Sequence, residues 1–274
     1  MVQQGFWQAA VLRRGRGVIH LRSVHVRNPE ALPAGFPFDL PIVRTLDEIA
    51  FPTPVTFLVG ENGSGKSTLL EAIGVSANLP TIGTVEMARD ETLPAAHDLA
   101  GHLVLTWAKR SHRGFYLRSE DFFGFALGTN RTIRELDEMA QGFAPGSYAR
   151  ATIEEQRNAL QRQYGDLEAR SHGESFFDVF ARRITGNGLY LMDEPEVALS
   201  PQRQIALLAL LTDAIAADAQ FLIATHSPIL MACPGARILV LGEEEIVETP
   251  WQDLEHVRLT QEFLANPGVF LRHL

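Results

Sequence analysis

Cysteine is nearly missing from this 274-residue chain, where Cys233 is the only one. A lone thiol excludes an intrachain disulfide and suits a reducing compartment, so the chain reads as cytoplasmic. Long apolar runs are missing as well. The longest, Ile205–Leu211, falls far short of the ~18 residues a membrane span requires. The opening MVQQGFWQAAVLRRGRG places its Arg cluster after its apolar residues, the wrong order for a secretory signal. An excess of positive charge is also absent. The 24 Lys and Arg face 33 Asp and Glu, a net charge of −9 that argues against a broad nucleic-acid coat. Lysine itself is scarce, since Lys66 and Lys109 are the only lysines among those 24 cations. Arg offers a planar fork and Lys a compact point charge, so a position that keeps Lys here invites the question of what needs an ammonium.

What remains is ordinary globular composition, 46% hydrophobic and 21% charged, at a length that fits one large domain. No repeat and no convincing linker appear, so residues 1–274 read as a single domain. Its first part, about 1–55, alternates short apolar and polar stretches (GVIHLRSVHVR) and then turns Pro-rich, which reads as β-strand and loop. PVTFLVG reads as a buried strand and KSTLLEAIGVSA as the helix behind it. The polar, helix-prone stretch of about 129–166, split by Pro145-Gly146, reads as a helical insertion, a lid or subdomain. From Gly188 the pattern is regular: strand GLYLMDE, helix RQIALLALLTDAIAADA, strand FLIATHS, strand RILVLG. Strands alternating with helices predict an α/β fold with a mostly parallel sheet covered on both faces.

Between the predicted strand and helix, Gly60, Glu61, Asn62, Gly63, Ser64, Gly65, Lys66, Ser67 and Thr68 spell GENGSGKST, a match to G-x-x-x-x-G-K-[ST]. Glycines let such a loop wrap closely round phosphate and turn successive N–H groups inward, and the helix that follows adds its positive end. The pattern assigns Lys66 to the β- and γ-phosphates and the Ser67 hydroxyl to Mg²⁺. At this composition, chance yields such a string on the order of 0.001 times per chain. The reading is an ATP-binding P-loop, and it gives Lys66 its reason to be lysine.

Downstream, GLYLMDEPE ends a buried strand in Asp193-Glu194. Acids at a strand's carboxyl end belong at the ligand-binding edge of an open α/β sheet. Asp193 is the expected Mg²⁺ partner and Glu194 the base that polarises attacking water; alone, the pair could equally be solvated acids. The next strand ends in ATHSP, putting His226 where a neutral imidazole can hydrogen-bond both phosphate and water. In SHGESFFDVFARRI an apolar stripe follows Ser171 and Gly173, which sit at a helix start that can bind an anion; taken alone, a plain N-cap is the simpler reading. Glu243-Glu244-Glu245 reads as a hairpin turn. The Arg clusters (Arg13/Arg14/Arg16, Arg110/Arg113/Arg118, Arg157/Arg162, Arg182/Arg183) read first as solvated faces balanced by acids, with nucleic acid as the alternative. One Cys and scattered His show no spacing for any metal other than the nucleotide's.

In order, GENGSGKST, SHGES, LYLMDEPE, EVALS and ATHSP span Gly60 to Pro228. In this order the chain resembles the ATP-binding-cassette class of ATPases, and within it the small stand-alone ATPases related to the SMC and RecF branch. The resemblance implies Mg²⁺-dependent ATP hydrolysis by a head-to-tail homodimer working as a nucleotide-driven switch. In that dimer Ser171 and Gly173 would contact the γ-phosphate held by the opposite subunit. The Glu196–Ser200 turn would lie across the interface, with His226 as the switch histidine. The chain departs from the class at Arg170-Ser171-His172-Gly173-Glu174, where His172 replaces a signature glycine, and no Gln-loop is obvious; position alone suggests Glu120 for it. Phe36 or Phe38 could stack on adenine or simply fill the core. Three outputs follow: a switch acting with DNA or a repair or defence protein, the nucleotide-binding subunit of a membrane transporter, or a binding module with negligible turnover. The altered signature counts against the transporter, and Glu194 with His226 against the inert module.

Overall fold

The computed structural model describes residues 17–81, 87, 90, 92–111, 113–164, 172–242 and 244–273. Its centre is a six-stranded sheet in the order β5-β6-β7-β3-β8-β9, formed by Gly114–Arg118 (β5), Leu189–Asp193 (β6), Gln220–Ala224 (β7), Val55–Val59 (β3), Arg237–Leu241 (β8) and Ile246–Glu248 (β9). All neighbours in it are parallel except the β8–β9 hairpin. The turn of that hairpin includes the bond from the Gly242 N–H to the Glu245 carbonyl, at the end of the expected acidic turn.

The three central strands, β3, β6 and β7, are buried along their whole length and mostly apolar because both faces are covered. Side chains alternate between two cores. Leu58, Leu191 and Leu222 pack with the helix Lys66–Ala77 (α2), while Phe57, Tyr190, Phe221 and Ile223 pack on the opposite face with His172–Arg183 (α6) and Pro201–Ala216 (α7). Tyr190 and Phe221 stack across neighbouring strands at 5.2 Å. Such burial, at roughly 1.5–3 kcal/mol per large side chain, is the main force holding the sheet.

A second sheet, antiparallel and three-stranded, runs β2-β1-β4: Ile49–Ala50, Leu21–Val26 and Leu103–Trp107. Its first two strands lie in the N-terminal stretch read as β-rich, but β4 comes from mid-chain, just after the helix Pro94–Ala100 (α3). Two further helices, Ser119–Gln141 (α4) and Tyr148–Tyr164 (α5), are joined by a turn holding Pro145 and Gly146, and Arg157 reaches back to Asp137 at 2.7 Å. The helical run thus opens at Ser119, well before residue 129. The start signal was Ser119-Glu120-Asp121, a small polar residue and two acids directly after a strand.

The two sheets meet at a polar joint. Gln220, fully buried at the start of β7, accepts the N–H groups of His20 and Leu21 at 2.8 Å on one side-chain oxygen and donates to the Leu21 carbonyl at 2.9 Å. The buried His20 ring sits between the Asp218 and Lys109 carbonyls, at 2.8 and 3.0 Å. One amide side chain thus replaces a missing strand partner for the entry to β1 (Leu21–Val26). Replacing Gln220 with Leu keeps the volume and strands buried N–H groups, so Gln220→Leu is expected to cost roughly 2–4 kcal/mol in urea unfolding. Leu264→Ala, at an exposed position, should change stability by less than about 0.5 kcal/mol.

Candidate nucleotide site

The parallel register brings the sequence motifs to one edge. Asp193 lies opposite Ala224, and Ala224 opposite Leu58, so the chains leaving β3, β6 and β7 exit the sheet at one level. That is the carboxyl edge, where open α/β sheets hold their ligands.

After β3 the chain turns through the glycine loop. Gly65 has φ +92° and caps α2, and a Cβ there would sit 2.6 Å from Ile42. Gly60 is close-packed instead, where a Cβ would meet the Leu241 carbonyl oxygen at 2.8 Å and Ser64 Oγ at 2.9 Å. Both ends of the loop are therefore packed too tightly against their neighbours to carry a side chain. Ser64 Oγ is buried there and has no hydrogen-bond partner. Lys66 is 4% exposed, and its Nζ donates to the Gly60 and Glu61 carbonyls, both at 2.8 Å. Burial pulls its ammonium below the usual lysine range, while Glu194, Asp193 and Glu196 hold it up. Phosphate oxygens would be stronger acceptors for this ammonium than those two carbonyls.

Across the edge, Asp193 is buried, and burial pushes its carboxyl up to about 6, with Glu194 adding to the rise. The Ser67 hydroxyl donates to it, and with Arg118 and Lys66 opposes the shift. Ser67 and Asp193, the two residues read as Mg²⁺ partners, are thus already in contact. A buried carboxylate with a hydroxyl beside it is a hard oxygen pair of the kind magnesium prefers. Arg118, aligned with Asp193 in the β5–β6 register, forms an ion pair with Glu71 of α2.

Glu194 stands in left-handed conformation, φ +48° and ψ +51°, with its N–H bonded to the Ala224 carbonyl at 2.9 Å. A non-glycine residue held so costs roughly 1–3 kcal/mol, and such strain concentrates at working sites. His226 Nε2 lies 3.7 Å from Glu194 Oε1. That gap is too long for a hydrogen bond, but one oxygen atom can bond both ends. The loop around His226 is itself tied down. The Ser227 hydroxyl donates to Gln204 Oε1 at 2.6 Å and accepts from the Leu230 N–H at 3.1 Å.

Two groups were not singled out for this site in the sequence. Glu196, expected in an interface turn, points inward. Its Oε1 accepts the His226 N–H at 2.7 Å, and burial raises its carboxyl. The clue was the second acid of Asp-Glu-Pro-Glu. The other group is the C-terminal segment, because a cavity of about 840 Å³ at the phosphate loop is lined by Gly60–Ser64, His226, Asp253, Glu255 and His256. No motif marks those last residues.

Other expected contributors lie apart or beyond view. Gly173 falls in the first turn of α6, and Ser171 lies outside the described residues, as do Arg13, Arg14 and Arg16. Glu120 falls in the first turn of α4, and its side chain is outside the description. Of the two phenylalanines, Phe38 is buried edge-on against His102, while Phe36 is 67% exposed and free to stack.

Two AAA-domain family models match the chain. One, described simply as an AAA domain, covers residues 42–77; the other, an AAA domain whose description links it with an AbiEii toxin of a type IV TA system, covers 175–232. The first takes in the loop and α2, the second the acidic edge and His226. The chain is a P-loop ATPase whose phosphate loop and acidic edge both match AAA domains. Among solved structures, this ATPase is similar to a nucleotide-free ATP-binding cassette from an ABC transporter (16% identity, 94% of this chain and 99% of that one, TM-score 0.48). It is likewise similar to the ADP conformation of an ATP-binding cassette of an ABC transporter (15% identity, 92% and 97%, TM-score 0.44). At those scores the likenesses carry no argument of their own, and the fold rests on the strand order above. No curated protein matches the ATPase. Among the described residues no helix is long and apolar enough to cross a membrane.

Because a Cβ at Gly60 would collide with the Leu241 carbonyl and Ser64, Gly60→Ala displaces the start of the loop and is expected to weaken ATP binding about tenfold or more. The same protein should keep its far-UV circular dichroism. Equal ATP affinity, measured by calorimetry, would show that the loop's grip does not depend on this close packing.

Proposed function

We propose that residues Gly60–Thr68 hold the polyphosphate of ATP, that Ser67 and Asp193 hold Mg²⁺, and that Glu194 activates the attacking water with His226 beside it. The observation that carries this reading is the convergence of Lys66, Asp193, Glu194 and His226 at the carboxyl ends of three adjacent parallel strands. Mg²⁺, when bound, supplies positive charge toward the phosphate oxygens. Lys66 turns its ammonium from the loop carbonyls to the terminal phosphates, and the N-terminus of α2 adds inward-facing N–H groups. Glu194, fixed by its strained backbone, accepts a proton from water lined up with the γ-phosphorus. His226, held through its own N–H by Glu196, donates to the γ-phosphate or that water.

A site open at one edge fits a second copy of the chain that closes it with Ser171 and Gly173, giving a head-to-tail dimer that ATP closes and hydrolysis reopens. As output we favour a switch acting with DNA or with a repair or defence protein. The match of 175–232 to a model linked with a toxin of a type IV TA system supports that choice over a transporter subunit. Phe36, exposed on the segment leading to the loop, is our choice for adenine stacking.

Lys66→Ala is expected to weaken ATP binding by about a hundredfold. Glu194→Gln should bind ATP, lose about 10²–10⁴-fold in turnover and elute as a dimer with ATP on a sizing column. A Glu194→Gln chain that stays monomeric with ATP sinks the sandwich. The same trapped protein used as bait should bring down DNA or a soluble protein; recovery of a polytopic membrane protein would instead favour the transporter. DNA-stimulated turnover should fall steeply with salt.

The pH dependence has a definite sign. Asp193 titrates near 6 in the free protein, above the ordinary aspartate value of about 4. Below that point it carries a proton that a cation must displace. Turnover at fixed Mg²⁺ should therefore drop as pH falls through about 6, and added Mg²⁺ should move the midpoint lower. An unmoved midpoint across a Mg²⁺ titration would remove Asp193 from the metal site.

A further inference from the structure

The cavity at the phosphate loop has one wall that none of the recognised motifs supplies. Asp253, Glu255, His256 and Leu259 reach it from the 3-10 turn Trp251–Asp253 and the helix Glu255–Ala265 (α8). This wall is built in rather than draped over the site. Leu254 and Val257 are buried in the same core as Leu207 and Phe221, and Trp251 Nε1 donates to the Pro228 carbonyl at 2.9 Å. That bond ties the C-terminal segment to the loop that carries His226.

His256 is the one group on this wall able to become positive. Its Nε2 is buried and has no hydrogen-bond partner, and a buried polar atom left so in a folded protein points to a ligand or to a change of state. Burial holds the ring below the ordinary histidine range; the nearby His226 pushes the same way and Glu255 opposes both. The charged and titratable groups lining the cavity around it are His226 from the loop after β7, Glu61 from the phosphate loop, Asp253 from the 3-10 turn and Glu255 from its own helix. Glu61, Asp253 and Glu255 are exposed acids and would repel a polyanion unless a cation faced it. Bringing several negative charges beside an imidazole favours its charged form.

We propose that His256 is a second imidazole of the nucleotide site, becoming an imidazolium that receives the polyphosphate opposite the glycine loop, so that nucleotide binding takes up a proton there. This rests on the reading that Gly60–Thr68 hold the polyphosphate. It makes the C-terminal helix part of the site and places its occupancy signal on α8.

The test is calorimetry of the full chain with Mg²⁺ and AMP-PNP, an ATP analogue that resists cleavage, near pH 6.5 in two buffers of different ionisation enthalpy. Wild type is expected to take up protons on binding, and His256→Gln to take up roughly half a proton less. The affinity of His256→Gln should fall about tenfold near pH 6.5 and no more than about twofold near pH 8.5, where the wild-type ring is neutral. His256→Lys keeps a cation at both values, so it should bind at near wild-type strength with the pH dependence largely lost. Should His256→Gln fold poorly, His256→Lys carries the test alone. Equal proton uptake and equal pH dependence in wild type and variants overturn the proposal, as does an equal affinity loss at both pH values, the mark of a packing role. Lys66→Ala separates the two levels of argument. Its unchanged binding would overturn the phosphate-loop reading, whereas loss of binding there with unaltered His256 variants overturns only the role of His256.

Discussion

Burial of the Lys66 ammonium sets the terms for the rest of the site. An ammonium at 4% exposure is tolerated only where oxygen atoms replace its water. Two carbonyls of its own loop do so directly, and three acids beyond the loop add their field. The carbonyls require the loop to curl back over α2, which calls for glycine at Gly65. The acids require β6 and β3 to end at one level, with only β7 between them. Parallel pairing supplies that alignment, and pairing of this kind needs the helical crossovers that cover both faces of the sheet. The same charge arrangement works on the acids in reverse. Asp193 is buried and expensive to ionise, and Lys66, Arg118 and Ser67 each lower that cost. A site of mutually compensating buried charges is poised for a ligand that brings both signs, as a magnesium nucleotide does.

Around this centre the molecule uses polar side chains as structural joints. Gln220 connects the two sheets by satisfying backbone groups at the entry to β1. Glu196 plays the same part nearer the chemistry, gripping the His226 backbone. Trp251 ties the C-terminal segment to the loop containing His226. In each case one side chain joins segments apart in sequence, and the Gln220 joint is fully buried, where a lost partner is most costly. The histidine loop is thereby held from two sides, which gives His226 a defined position beside Glu194.

Much of this was legible in the residues. GENGSGKST announces a phosphate loop because its spacing answers to the size of a phosphate and the helix behind it, both local matters. The run of strands and helices after Gly188 announces a parallel sheet, since period and apolarity are also local. Asp193, Glu194 and His226 could be proposed from their places at strand ends. The origin of β4 in mid-chain could not be read, because a five-residue strand pairs with a partner far away and carries no mark of which one. The early start of α4 was signalled by Ser119-Glu120-Asp121 and obscured by the glycines that follow. The bond from Glu196 to the His226 backbone could not be read, because the sequence displays its turn and not its rotamer.

By itself the sequence determined the chemistry available: one lysine in a glycine loop, an acid pair after an apolar strand, a histidine after the next, and too little apolar length in any run to cross a membrane. Those depend on residue type and short spacing, which survive any folding of the rest. Only the tertiary structure decided which groups share a site. It turned Glu196 inward, buried Phe38 and left Phe36 exposed, joined the sheets through Gln220, and brought His256 from near the chain's end to the phosphate loop. The reason is that contact between distant segments is governed by the packing of sheet and helices as a whole, and no local pattern encodes it.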